Sequence, residues 1–179
     1  MIFQCWQRLC ALKSPHILLS MVVSAFMLAT PLYGQDKEVV GWLEKVRIYP
    51  ANLTIYAKVD SGAKNSSLNA SHVDVFERDG EQWVRFDVTS RYGKTVTIER
   101  KVKRVVKIKR HGAKPQARFA VSLGICLGNS YKEVEVNLAE RSDFLYQMLI
   151  GRSFLAGSFI VDPSAKYTTK PNCSVVPEQ

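Results

Sequence analysis

The segment most informative about the fold is Ile55-Tyr56-Ala57-Lys58-Val59-Asp60-Ser61-Gly62-Ala63. Its first five residues predict a strand, and an acidic residue at the end of an apolar strand lies where a core meets a cleft. Ser61 is able to hydrogen-bond within the loop, and Gly62 allows close backbone approach because it has no Cβ. Such triplets are also common in plain turns. Asp60 therefore becomes a candidate for chemistry only if a second motif supports it.

The second motif is Leu149-Ile150-Gly151-Arg152, two apolar residues followed by a glycine and an arginine. We interpret Leu145 to Ile150 as a buried strand that Gly151 ends. Arg152 to Ala156 is long enough for one helical turn, and Ser158 to Asp162 then returns as a strand. The two motifs lie in a fixed order along the chain, which makes the pair more specific than either one alone.

Between the two motifs the chain shows apolar residues with period two, which is typical of half-buried strands. The alternating stretches are Val84–Val88, Val96–Ile108, Phe119–Ile125 and Val134–Leu138. Turn signals separate them, among them Asp79-Gly80, Tyr92-Gly93 and Gly128-Asn129. Many short strands at close spacing predict an all-β barrel or sandwich rather than a parallel sheet.

The two motifs together resemble the retroviral-type aspartic peptidases. Ala57 to Ala70 is similar to the bacterial retropepsin-like family often labelled "ATP-dependent zinc protease", as are Glu140-Arg141, Met148 to Arg152 and Val161-Asp162-Pro163. The resemblance runs from about Val40 to Pro163. It implies a closed retropepsin-like β-barrel with one short helix near the C-terminus.

The resemblance also implies one catalytic aspartate per subunit, Asp60, and a homodimer that brings two such loops together. Two carboxylates about 3 Å apart share one proton, so one acts as the base and the other as the acid. The residues that would support the loop are Ser61, Gly62, Ala63, Leu149, Ile150, Gly151 and Arg152. Viral enzymes carry an acidic residue where this chain has Lys64, so Arg152 needs another partner. Asp162 is either structural or, in a monomer, the second acid.

A flap that closes over the substrate is also implied. The best candidate is the hairpin from Lys107 to Phe119, with its tip at His111, Gly112, Ala113 and Lys114. Asp79-Gly80 is the rival tip.

The first 35 residues are unlike the rest of the chain. Arg8 and Lys13 precede an apolar run from Ile17 to Ala29, which is the order of a secretory signal peptide. We expect an exported, periplasmic or secreted protein; an uncleaved N-terminal anchor, which would associate the protein with the membrane, and a buried core helix remain alternatives. The predicted organisation is a signal or anchor at 1–35, the barrel domain at 36–165 and a loose tail at 166–179.

The cysteines, the histidines and the net charge limit which cofactors and partners are expected. Cys126 and Cys173 would remain after trimming, and an oxidising compartment permits them to pair. With three histidines, no His-Glu-x-x-His, no zinc-spaced cysteines and no glycine-rich phosphate loop, we expect no metal and no cofactor. The net charge of +9 fits either a solvated basic face or attraction to acidic peptides, anionic lipid or nucleic acid. No nucleic-acid-binding motif is present, so nucleic acid is not an expected partner.

Two functions follow from these patterns. The first is an aspartic endopeptidase that acts on peptide or protein substrates. The second is an envelope binding or assembly module that keeps the fold without hydrolysis, because one fold hosts many functions.

Overall fold

The computed structural model describes residues 36–110, 113–140 and 145–174. All of them belong to one compact unit, Gln35–Gln179. The described strands are β1 (Glu38–Tyr49), β2 (Leu53–Val59), β3 (Ser66–Asn69), β4 (Ser71–Arg78), β5 (Glu81–Thr89), β6 (Thr95–Arg110), β7 (Ala113–Leu127), β8 (Ser130–Ala139), β9 (Met148–Ile150) and β10 (Phe159–Lys166). A helix of one turn, α1 (Arg152–Leu155), separates β9 from β10.

Six strands form a closed barrel in the order β1, β2, β9, β3, β8, β7. The barrel closes where β7 pairs with β1, with Arg47 opposite Cys126 and Ile48 opposite Ile125. β9 is parallel to β2 and antiparallel to β3, so it lies between the two strands that flank the Asp60 loop. The predicted all-β barrel with one short helix near the C-terminus is confirmed.

Four strands extend beyond the barrel. The first part of β6 pairs with β5 and its second part pairs with β7, so one long strand joins the barrel to an outer sheet that ends at β4. On the other side, β10 runs parallel to β1 and forms the second edge of the sheet. Because β4 is exposed along nearly its whole length, it lacks the apolar alternation that marks the other strands.

The core lies inside the barrel and under the outer sheet. Along β2, Leu53, Ile55, Ala57 and Val59 are buried while Lys58 is exposed, as a strand with one face on a core requires. The largest fully buried apolar side chains are Ile48, Ile55, Leu68, Phe86, Leu123, Ile125, Leu127, Met148, Ile150 and Phe154. Removing this much apolar surface from water is the main stabilising contribution to the fold.

The segment after Pro163 differs from the loose tail that its polar composition suggested. β10 continues through Pro163 to Lys166, which is compatible with its edge position because an edge strand leaves one row of N–H groups unpaired. Tyr167 then donates its N–H to the carbonyl of Leu43 at 2.8 Å, and Asn172 donates to the carbonyl of Gly128 at 2.8 Å. The residues up to Ser174 therefore follow the barrel wall.

A buried carboxylate holds this segment. Glu44 is fully buried, and its Oε1 accepts hydrogen bonds from the N–H of Gly41 at 2.7 Å and from the N–H and hydroxyl of Thr168 at 2.9 and 2.6 Å. Its Oε2 accepts from the N–H of Thr169 at 3.2 Å. A buried carboxylate needs such donors, and this segment supplies most of them.

A disulfide between Cys126 and Cys173 fixes the end of the same segment to β7, with the Cα atoms 6.0 Å apart. In the part of the chain that the structure describes, no helix is long and apolar enough to cross a membrane. The predicted signal or anchor at 1–35 lies outside the described residues.

The apolar run before Gly151 forms a shorter strand than its composition suggested. β9 spans only Met148–Ile150, while Leu145 is 83% exposed. Pairing explains the difference, because β2 pairs with this run only at Met148, Leu149 and Ile150, and β3 pairs with it only at Met148 and Leu149.

Candidate active site

Asp60 continues the ladder of β2 by one residue. Its N–H bonds to the carbonyl of Ile150 at 2.9 Å, so it stays aligned with the end of β9. Its carboxylate Oδ1 accepts the N–H of Gly62 at 2.9 Å, and the side chain is half-buried. The loop thus holds the carboxylate at the rim of the barrel, within reach of solvent.

Arg152 fastens the loop from the opposite side. Its Nη1 donates to the carbonyls of Ser61 at 2.9 Å and Gly62 at 2.8 Å. Its backbone N–H donates to the carbonyl of Ala63 at 2.9 Å, and the next residue, Ser153, donates to Lys64 at 3.0 Å. Arg152 therefore binds backbone carbonyls of the loop where viral enzymes offer it a carboxylate.

A glycine is required at position 151 because the backbone of Lys64 and Asn65 lies too close for a Cβ, not because of its backbone angles. Its φ of −95° is open to any residue, but a Cβ here would lie 2.6 Å from the carbonyl carbon of Asn65. Its N–H donates to the hydroxyl of Ser66 at 3.1 Å. Sequence patterns did not single out Ser66, since a polar residue in a short strand carries no distinguishing signal.

The other predicted support residues divide between the two faces of the sheet. Ile150 is fully buried beneath the loop, whereas Leu149 is half-buried on the outer face, beside Lys58 of β2. Ser61 contributes only backbone atoms, because its hydroxyl forms no hydrogen bond to any described residue. Asp162 accepts the N–H and hydroxyl of Ser164 at 2.8 and 2.6 Å, which lowers its pKa and places it in a turn of β10.

An open cavity of about 420 Å³ adjoins the loop. Ser61 and Arg152 line it on one side, and Phe159 and Val161 of β10 line it on the other. The Asp60 loop and the edge strand β10 are therefore neighbours on the surface.

The candidate flap is a hairpin of β6 and β7, with Lys107 opposite Ala117 and Arg110 opposite Ala113. Its predicted tip at His111 and Gly112 lies outside the described residues, so that tip stays a prediction. Ala113 is the first residue of β7 and Lys114 follows it. The rival, Asp79-Gly80, is the turn between β4 and β5, with both residues at positive φ.

An ion pair lies on the outer face of the sheet near the loop. Arg104 donates to Glu135 at 3.0 Å, and this hydrogen bond holds the pKa of the Glu135 carboxyl below its usual range, with Lys64 adding a smaller lowering. No group of three or more His, Cys, Asp or Glu side chains within the described ranges could hold a metal ion.

A barrel of this topology, with an Asp-Ser-Gly loop clamped by a Gly-Arg turn, defines a protein of the retropepsin class. The chain belongs to the RimB-like family, "Retropepsin-like aspartic endopeptidase RimB", whose family model matches residues 39–172. A crystal structure of a protein of unknown function from Legionella pneumophila is similar to it, with a TM-score of 0.66 and 34% identity, and the match covers 75% of this chain and 100% of that one.

Among curated proteins the chain is similar to two named "Probable alpha-L-glutamate ligase". The one from Shewanella pealeana is 35% identical over 116 residues, and the one from Desulfotalea psychrophila is 34% identical over 113 residues. The matches cover 63% and 62% of this chain. The chain spans about a quarter of the length of these relatives, 25% and 24%.

Proposed function

We propose that this protein is an aspartic endopeptidase whose active site forms from Asp60 of two chains. The observation that carries the proposal is the Asp60 loop: a half-buried carboxylate, oriented by the N–H of Gly62, on a loop that Arg152 clamps. Such fixed positioning is what general acid–base chemistry needs from a protein. One chain supplies one carboxylate of this kind, so the site is complete only with a second chain.

In the proposed reaction the ionised Asp60 takes a proton from a water molecule, whose oxygen attacks the carbonyl carbon of the scissile bond. The protonated Asp60 of the second chain donates its proton to the carbonyl oxygen. Collapse of the tetrahedral species breaks the C–N bond. The first Asp60 gives the leaving amine the proton that it took from water, and the Asp60 of the second chain takes a proton from a hydroxyl on the tetrahedral carbon. The pair ends with one proton, as it began.

Hydrolysis of a peptide library by wild type and by Asp60→Asn tests this proposal. The amide preserves the shape of the carboxylate but cannot act as a base, so the variant should be folded and inactive. Mixed dimers should also be inactive, and activity per chain should fall on dilution. An Asp60→Asn protein as active as wild type, or a monomer that stays active at high dilution, would remove the mechanism.

Glutamate-bearing polypeptides are the proposed substrate class. The same domain occurs in proteins named as glutamate ligases, and the net charge of +9 favours acidic partners. Cleavage of a glutamate-rich peptide, compared with its glutamine counterpart, tests this choice. Equal rates for both peptides would contradict it.

The alternative is a binding module without hydrolysis. It predicts that Asp60→Asn binds the same partners as wild type and that no peptide is cleaved at any pH. Export to the periplasm is part of our proposal for either function, and the disulfide supports it because such bonds persist in oxidising compartments. Recovery of the protein only in the cytosol would contradict export.

A further inference from the structure

One face of β2 leads directly to Asp60. Tyr56 and Lys58 point outward between buried neighbours, and Asp60 follows at the same spacing of two residues. Side chains two residues apart in a strand share a face, and each residue advances about 3.3 Å. The Cα of Tyr56 is therefore roughly 13 Å from that of Asp60 along the strand.

Four side chains surround Tyr56. Lys45, its register partner in β1, has its Nζ 5.7 Å from the ring centroid, and the Cζ of Arg91 lies 5.3 Å from it. The hydroxyl of Tyr92 is 3.1 Å from that of Tyr56, and the ring of Tyr167 packs edge-on at 5.5 Å. We call Lys45, Tyr56, Arg91, Tyr92 and Tyr167 the Tyr56 cluster. Tyr92 is 82% exposed, so the cluster is open to a partner.

The positive charges of this face are not balanced. Lys45, Lys58 and Arg91 form no ion pair with a carboxylate anywhere in the described ranges. On the outer sheet the situation is different, because Arg78 and Arg85 both pair with Glu99 and Lys101 pairs with Glu81. The one carboxylate of β1 beside Lys45, Glu44, is fully buried and satisfied by backbone and hydroxyl donors.

We propose that the Tyr56 cluster and Lys58 form an exosite for an acidic polypeptide segment of the substrate. Its three unpaired cations would meet carboxylates, while the phenol groups of Tyr56 and Tyr92 donate and accept hydrogen bonds. The role in hydrolysis rests on the proposed function; the binding of an acidic chain does not. The surface is continuous with the catalytic loop through Lys58, so one extended chain reaches both.

The distances assign positions within that chain. Lys58 lies two residues from Asp60 and has Leu149 beside it, so it meets a substrate side chain close to the scissile bond. The Tyr56 cluster lies about four residues from the bond, since an extended chain spans about 3.3 Å per residue. Acidic residues at both distances should matter, and more remote ones should not.

Binding is tested first, in an Asp60→Asn background that prevents cleavage. The probe is a fluorescent octaglutamate peptide, with octaglutamine as its neutral match, measured by fluorescence anisotropy at several salt concentrations. The triple variant Lys45→Gln, Lys58→Gln, Arg91→Gln should bind octaglutamate about tenfold more weakly and with a smaller salt dependence. The reason is that the three surface charges, two exposed and that of Lys45 half-buried, each contribute modestly. The control Lys101→Gln removes one equal charge on the outer sheet and should bind nearly as the parent does.

Hydrolysis separates the exosite from the catalytic proposal. Moving a glutamate pair along a neutral peptide should raise kcat/KM most at two and four residues from the cleaved bond. In the triple variant this preference should vanish, so that glutamate-bearing peptides and the neutral peptide have the same kcat/KM. Octaglutamate binding without cleavage of any peptide would keep the exosite and remove the peptidase. Equal octaglutamate affinity of the triple variant and of Lys101→Gln, both with the melting temperature of the parent, would overturn the exosite.

Discussion

Gly151→Ala tests whether the loop is held by close backbone packing. The added Cβ would lie 2.6 Å from the carbonyl carbon and oxygen of Asn65 and 2.9 Å from the carbonyl oxygen of Lys64. Carbon atoms in contact prefer about 3.5–4.0 Å, so backbone must move. Overpacking of this kind costs about 1–3 kcal/mol, and loss of the Gly151 hydrogen bond to Ser66 adds about 1 kcal/mol.

The total of about 2–4 kcal/mol is a large part of the stability of an ordinary domain. For a chain of this size it corresponds to a fall of about 5–15 °C in melting temperature. Circular dichroism on heating measures that fall, and peptide hydrolysis measures whether the loop keeps its geometry. We expect hydrolysis to be lost below the melting temperature as well, because the shift moves Lys64 and Asn65, which directly follow the loop carbonyls that bond to Arg152.

Gly80→Ala is the control. The φ of Gly80 is +72°, and no atom lies within 4 Å of the added Cβ. Gly80→Ala therefore strains the backbone of the β4–β5 turn without creating a steric contact. It should cost stability and, because the flap prediction is placed on the β6–β7 hairpin, it should leave hydrolysis unaffected. Loss of hydrolysis without a matching fall in melting temperature would instead make Asp79-Gly80 the flap tip. A Gly151→Ala protein with wild-type melting temperature and activity would refute the packing argument, since the φ of −95° at this position gives no other reason for a glycine.

Three further predictions concern the rest of the domain. Cys173→Ser opens a cross-link between residues 47 apart, for which chain entropy predicts a loss of about 4 kcal/mol in the free energy of unfolding, measured as a lower urea midpoint. Glu44→Gln replaces one carboxylate oxygen by an NH₂ group, which cannot accept the hydrogen bonds that Thr168 or the other donors give to that oxygen. The free energy of unfolding should therefore fall by about 2–3 kcal/mol, and an unchanged urea midpoint would contradict this. Hydrogen bonds, first from Arg78 and then from Arg85, lower the pKa of Glu99 in the folded protein. The ionised Glu99 therefore stabilises the fold above about pH 4.3, the value for an unfolded chain, and this stabilisation is lost as the pH falls through the lower folded-state pKa. The difference in urea midpoint between wild type and Glu99→Gln should accordingly shrink between about pH 7 and pH 3.

Strands of the barrel and of the outer sheet were predictable where one face of the strand meets the core. β5 and β7 show the expected alternation, with Val84, Phe86 and Val88 buried in β5. β4 and β3 were not predicted, because β4 is solvated on nearly its whole surface and β3 has only four residues, three of them polar. The strand order also lay beyond periodicity, since pairing of β9 with β2 and β3 joins segments about 90 residues apart.

The Asp60 loop was predictable as a motif but not as a set of contacts. Asp-Ser-Gly and Gly-Arg stand out in the sequence, whereas the bonds that join them run mostly between backbone atoms, which any residue type supplies. The ordered tail illustrates the same limit. In the sequence Thr168 and Thr169 have the composition of a linker. In the structure they donate hydrogen bonds to the buried carboxylate of Glu44, which lies more than 120 residues earlier in the chain.

Alternation along β2 divides two tasks between neighbouring residues. Ile55, Ala57 and Val59 face the core and hold the strand in the barrel, while Tyr56, which is half-buried, and Lys58, which is exposed, face outward on the surface of the proposed exosite. A strand of this kind can change its outward side chains with small effects on stability, because the inward set and the backbone ladder are unaffected. Asp60 inherits its position from the same ladder through its bond to Ile150. If the proposed function holds, substrate preference and catalytic geometry are separable in this fold: exchange of the outward residues should alter which peptides are bound while Asp60 keeps its place.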